Sequence, residues 1–293
     1  MRNAGKRLPG TPQPSDVWTA RDGISIAGDQ WGDPSCPLVI LQHGGGQTRH
    51  AWKNTGETLG AAGYHAVALD ARGHGDSGWA DAGHYGVDHM IDDIDMVVEA
   101  LGGKTPILVG ASMGGATSLV AVGEGKIAAK ALVLVDIAPR IDQEGHRQIQ
   151  AFLDQYPEGF ETLEQVSDAI ANYQPHRKMP RNLDGLAKNV RLGDDGRYHW
   201  HWDPVWRHGR GSMQAYQDRL REAASRIAVP TLLIRGGLSN VLTEAGAREF
   251  LALCPHSDYV NIPTAAHMVA GDRNDVFADA VVEFLGRAVG GDR

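Results

Sequence analysis

The chain has 293 residues, 42% of them hydrophobic, and a formal net charge of −8 at pH 7. That length suits one large domain with an insertion, and its positive residues are scattered, so the basic footprint that nucleic acid or an anionic membrane requires is missing. No stretch approaches the roughly 18 apolar residues of a membrane span, and residues 1–14 lack the apolar run of roughly 7–15 residues of a secretory signal, so the expectation is a cytoplasmic protein without nucleic-acid or membrane partners.

In chain order, residues 1–16 read as a flexible tail, and residues 17–20 and 24–30 as a hairpin around Arg21-Asp22-Gly23. Residues 37–42, Pro-Leu-Val-Ile-Leu-Gln, form a bounded apolar run ending in glycines, the pattern of a buried strand. A helix near 54–62 and a strand at 64–69 follow. Met90, Ile91, Ile94, Val97, Val98 and Leu101 recur at three and four residues, which predicts an amphipathic helix over 87–101. A strand at 106–109, a helix to about 122 and a strand at 131–136 come next. Strands at 230–234 and 259–262 alternate with helices at 243–253 and 275–289, Thr243 and Glu244 marking a helix start. The alternation predicts an α/β domain with a mostly parallel eight-stranded sheet and flanking helices. Residues 138–227 break the rhythm and read as a helical cap inserted into a core of residues 17–137 and 228–293. Cys36 and Cys254 are far apart and read as reduced thiols.

Gly110-Ala111-Ser112-Met113-Gly114 matches G-x-S-x-G between a predicted strand and a predicted helix. In that context the serine occupies a nucleophile elbow, a turn so sharp that its flanking positions must carry almost no side chain. The helix N-terminus beyond it favours developing negative charge. His43-Gly44-Gly45-Gly46 closes the strand at 37–42, and three consecutive glycines suit close backbone approach to a ligand. Asp70-Ala71-Arg72-Gly73-His74-Gly75-Asp76-Ser77 follows the next strand, and Ala265-Ala266-His267-Met268 follows the last.

This order of motifs, covering roughly residues 17–289, resembles the α/β-hydrolase superfamily, its epoxide-hydrolase/haloperoxidase-like branch in particular. The resemblance implies Ser112 as nucleophile and His267 as base, with oxyanion donors in the backbone N–H groups of Gly45 and Met113. Asp70, Arg72 and His74 are implied structural braces. The family pattern would place the acid at position 240, where this chain has Asn240. An amide supplies no charge to an imidazolium, and in serine proteases the equivalent change costs about 10⁴ in kcat, roughly 5.5 kcal/mol of barrier. Three readings stay open at this point: Asp136, which ends the strand at 131–136, is the acid; Asn240 orients His267 in a slower enzyme; or Asn240 is an engineered replacement of an aspartate.

Residues 197–206 hold Trp200, Trp202 and Trp206, and such a stretch beside the site suits a substrate with an apolar or aromatic part, lined also by His43 and Gly44. His199, His201, Asp203 and His208 show no recognised metal spacing, and neither metal nor cofactor is expected. The expected activity is hydrolysis of a carboxylic ester or lactone through an acyl-serine intermediate. Carbon–carbon bond hydrolysis on the same triad, perhydrolysis as a side reaction and a ligand-binding receptor on this fold are the alternatives. Oligomeric state leaves no mark on the sequence.

Overall fold

The computed structural model describes residues 5–173, 183–207, 212–272 and 274–289. Eight strands build the main sheet: β1 (Asp16–Thr19), β2 (Ser25–Trp31), β3 (Leu38–Gln42), β4 (His65–Leu69), β5 (Ile107–Ala111), β6 (Ala131–Val135), β7 (Thr231–Gly236) and β8 (Asp258–Ile262). Their spatial order is β1-β2-β4-β3-β5-β6-β7-β8. The β1–β2 and β2–β4 pairs are antiparallel and all other neighbours are parallel. Every residue of β3, β4 and β6 is buried, as parallel strands covered on both faces require.

Strand alternation divides the apolar side chains between two cores. Ile40, Leu108, Leu132 and Leu233 pack beneath helices α2 (Val87–Ala100), α3 (Met113–Gly123), α6 (Met213–Ser225) and α7 (Glu244–Leu253). Val39, Leu41, Val109 and Val133 face α1 (Lys53–Ala61) and α8 (Asn274–Ala288). Each fully buried Leu, Ile or Val contributes about 1.5–3 kcal/mol to holding these layers together. Thr243 caps α7 by accepting from Gly246 N at 3.1 Å, as its sequence position predicts. No helix among the described residues is long and apolar enough to cross a membrane.

Chain order reverses at β3, whose neighbours are β4 on one side and β5 on the other. Loops leaving the carboxyl ends of β3 and β5 therefore diverge and leave a crevice, the usual ligand position on such sheets. The glycine loop at 43–46 and Ser112 are the two segments placed there.

The insertion between β6 and β7 differs from the predicted cap in three respects. It carries α4 (Gln143–Leu153) and α5 (Leu163–Tyr173), but also an antiparallel pair, Val190–Leu192 with Tyr198–Trp200. Strands of three residues are too short to show alternation in sequence. Second, Lys6–Arg7 pairs antiparallel with Val190–Leu192, so this part of the expected flexible tail is held against the insertion; residues 1–4 lie outside the described residues. Third, α6 belongs to the core layer. Leu220, Ala223, Ala224 and Ile227 are buried in the same cluster as α3, and a Cβ at Gly123 would lie 2.3 Å from Ala223 O. The expected cap boundary at 227 is therefore too late, because the amphipathic pattern of α6 shows that it covers an apolar surface without showing which one.

Candidate active site

Ser112 lies between the last residue of β5 and the first of α3, with φ 46° and ψ −111°. A non-glycine residue in that region stores on the order of 1–3 kcal/mol of strain. Ser112 N donates to Val135 O (3.1 Å) and Ser112 O accepts from Ala116 N (2.8 Å), which ties the strained residue to β6 and to α3. The flanking glycines are required by space: a Cβ at Gly110 would lie 2.5 Å from the Gly114 carbonyl carbon, and one at Gly114 would lie 2.6 Å from Gln42 Cβ.

His267 stands in the loop beyond β8, and its Nδ1 lies 2.7 Å from Asp136 Oδ2. Asp136 is fully buried and has a positive φ of 51°, a conformation that aspartate tolerates better than most residues. Its Oδ1 accepts from Gly236 N (2.9 Å), and its Oδ2 also accepts from Ser239 Oγ (2.5 Å). Ser239 Oγ in turn accepts from Val241 N (3.1 Å) and Leu242 N (3.3 Å). Asn240 points the other way: it is exposed, and its Nδ2 donates to Gln148 Oε1 on α4 at 2.6 Å. The expectation that position 240 stands behind the histidine is therefore corrected. Because β6 and β7 are adjacent and parallel, with Asp136 N bonded to Ile234 O, their carboxyl ends reach the same edge, and the turn after β7 brings Ser239 inward and Asn240 outward. Sequence reasoning passed over Ser239, although any inward hydroxyl at this edge can serve a buried carboxylate.

The glycine loop is held from below by two buried histidines whose tautomers follow from their partners. Ala71 N–H donates to His43 Nε2 (3.0 Å), so the ring proton is on Nδ1, which donates to Gly44 O (2.8 Å). Gly44 C=O and Gly45 N–H belong to one trans peptide and point in opposite directions. Fixing the carbonyl on His43 thus turns the Gly45 N–H to the opposite side. In the same way Gly75 N–H donates to His201 Nδ1 (2.8 Å), leaving the Nε2 proton to donate to Gly46 O (3.3 Å). Burial pushes His43 below its ordinary range and His201 well below it, so both stay neutral in this role. His43 was expected to line the substrate pocket; it lies behind the loop instead, whereas Gly44 and Gly45 reach the cavity.

Asp70, Arg72 and His74 sit among loop contacts. Asp70 is buried against Arg49, with Arg49 Nη1 at 2.6 Å and backbone bonds from Arg49 N and Asp76 N. Burial alone would raise its carboxyl, but the Arg49 charge and these bonds hold it below its ordinary value. Arg72 forks onto Asp93 with two 2.6 Å bonds, and the His74 ring packs between His43 and Trp206. Arg49 also reaches Asp76 (2.8 Å), and Arg191 of the insertion reaches Asp76 (2.9 Å) and Gly75 O (3.0 Å). Nothing in the sequence marks Arg49 or Arg191, because their partners come from distant segments.

Ser112, His267 and the glycine loop all open onto one cavity of about 490 Å³. Trp200, Trp202 and Trp206 line it from the insertion, and they also pack together, Trp200 stacking on Trp202 with centroids 4.7 Å apart. A Cβ at Gly45 would lie 2.7 Å from the Trp206 ring, so the loop is glycine partly to admit that side chain. His199 pairs with Asp195 (2.9 Å), while Asp203 accepts from Tyr85 Oη (2.6 Å); these residues and His201 do not converge, and His208 lies outside the described residues.

A buried carboxylate–imidazole pair beside a serine elbow, on a sheet of this order, defines a hydrolase-type architecture. The family model for the α/β-hydrolase fold matches residues 37–273, and the chain belongs to that family and is an enzyme of hydrolase type. Among its relatives is esterase Rv0045c of Mycobacterium tuberculosis, 28% identical over 85% of this chain and 82% of that protein. The solved structure of that esterase superposes with a TM-score of 0.73 at 26% identity, covering 94% of this chain and 93% of the other. A 3-hydroxybutyrate-oligomer hydrolase of Cupriavidus necator is 26% identical over 83% of this chain and 86% of that protein. The thioesterase domain from the curacin biosynthetic pathway has the same fold, with a TM-score of 0.76 at 21% identity over 93% of this chain and 100% of that one.

Proposed function

We propose that the protein hydrolyses a carboxylic ester or lactone through an acyl-serine intermediate on Ser112. The observation that carries this reading is the 2.7 Å contact between His267 Nδ1 and the buried Asp136, on the cavity that Ser112 lines. With Asp136 as acceptor the imidazole proton sits on Nδ1, which leaves Nε2 as the base for the Ser112 hydroxyl. Ser112 attacks the carbonyl carbon, His267 takes the proton and passes it to the leaving alkoxide, and the Gly45 and Met113 amides hold the oxyanion. Water, deprotonated by His267, then releases the acid and restores Ser112. Asp136 stabilises the imidazolium at each step, and Ser239 holds the carboxylate in place.

In this reading Asn240 has no part in the chemistry, so neither a slowed enzyme nor an engineered block is needed to explain it. A fluorophosphonate probe tests the nucleophile. Stoichiometric labelling that disappears in Ser112→Ala is the expected result; an unlabelled wild-type chain contradicts it.

A further inference from the structure

The first turn of α4 and the turn after β7 meet at a single peptide. Asp142 caps the helix, its carboxylate accepting from Glu144 N (2.9 Å) and Gly145 N (3.0 Å), while Asp142 N donates to Val241 O (2.9 Å). Gly145 is buried in that turn and lies directly on the Asn240–Val241 peptide. A Cβ there would stand 2.0 Å from Asn240 O and 3.1 Å from Val241 N, so a larger residue fits only if the helix or the turn moves. Glycine weakens a helix, and this close approach is the reason for one here. The other edge of the same peptide serves the acid. Being trans, the peptide points Asn240 C=O towards α4 and Val241 N–H the opposite way, to Ser239 Oγ at 3.1 Å. Ser239 Oγ in turn donates to Asp136 Oδ2, the oxygen that also meets His267 Nδ1.

A chain of contacts therefore runs from a helix of the insertion to the carboxylate, through Gly145, the 240–241 peptide, Ser239 and Asp136. The peptide is rigid, so displacing its carbonyl on one side swings its N–H on the other. With Val241 N and Leu242 N both donating to it, Ser239 Oγ has its lone pairs engaged and keeps its own proton for Asp136. We infer that Gly145 is a positioning residue for the reaction: its lack of a side chain lets α4 brace the peptide that orients Ser239 and, through it, Asp136. The helix that lines the cavity with Ile149, Phe152 and Leu153 thus also sets the acid. This inference rests on the hydrolytic reading above and adds to it a residue that touches neither the substrate nor the triad.

The test measures kcat and KM on 4-nitrophenyl butyrate for Gly145→Ala, Ser239→Ala and the double variant. Gly145→Ala should lower kcat about tenfold, the equivalent of one hydrogen bond, and leave KM nearly unchanged. Ser239→Ala should cost at least as much, and the double variant should be no slower than Ser239→Ala, since both changes act on one link. Asp142→Ala loosens the same helical turn without adding an atom and should lower kcat by a smaller factor. Gln148→Ala, which removes only the exposed partner of Asn240, should leave kcat unchanged. The Nδ1 proton resonance of His267 in isotope-labelled protein, assigned by its loss in His267→Gln, reads the hydrogen bond to Asp136 without turnover. Gly145→Ala should move that resonance and Gln148→Ala should not. A wild type that hydrolyses no ester contradicts the hydrolytic reading, and the resonance then decides the link from Gly145 to Asp136 by itself. Wild-type kcat and resonance in Gly145→Ala (or in Asp142→Ala should the first variant not fold) overturn the inference. So does a Gly145→Ala loss that multiplies in full with that of Ser239→Ala.

Discussion

At the scale of single residues, the site depends on where protons sit. Each of the two loop-holding histidines accepts from a backbone N–H with one nitrogen and donates to a glycine carbonyl with the other. His201 does so from the insertion, so the glycine loop is positioned partly by a residue remote in sequence. His201→Phe keeps a ring in place but leaves Gly75 N–H without its acceptor, at a cost of about 1–3 kcal/mol in stability. On a small ester kcat should fall by roughly tenfold or more, equivalent to about 1.4 kcal/mol of barrier. KM should change little, and a kcat equal to wild type would show that the loop holds its shape alone.

The insertion, the glycine loop and the loop after β4 are joined by a buried ion network rather than by apolar packing alone. Arg49 is fully buried against Asp70 and Asp76, and Arg191 approaches Asp76 from the other side. Removing one member of such a network leaves uncompensated buried charge. Arg49→Met is therefore expected to cost about 3–5 kcal/mol in chemical denaturation. By contrast Arg147→Met, which breaks an exposed pair with Glu144, should stay within about 0.5 kcal/mol. A similar loss in both variants would contradict the role given to the network. The elements were more legible in the sequence than these joints. The runs of β3 to β6 and the G-x-S-x-G turn state their burial and sharpness locally, so they were legible. Which strand end supplies the acid was not, because Asp136 and Asn240 become alternatives only once β6 and β7 lie side by side. The choice is then made by the turn that hides Ser239 and exposes Asn240.

For the molecule as a whole, the buried histidines link stability to pH. Burial and the Arg49 charge push His50 down to about 4, and burial also holds His43 and His201 below the ordinary value, so the folded chain keeps them neutral while the unfolded chain protonates them below about pH 6.5. Folding then releases protons, so stability is complete above the unfolded value and is lost as pH falls towards the folded one. The urea midpoint should drop between pH 7 and pH 5, by the equivalent of about 2 kcal/mol for a histidine of this kind. His50→Gln should flatten the drop, and a midpoint that rises on acidification would contradict the assignment.

That Asp136, and not position 240, stands behind His267 is the point on which the chemistry of the site turns. It is tested most directly by measuring kcat for Asp136→Asn and Asn240→Asp on one activated ester. Asp136→Asn should lose about 10⁴ in kcat while Asn240→Asp stays within a few-fold of wild type. A large gain from Asn240→Asp, with Asp136→Asn remaining active, would contradict it.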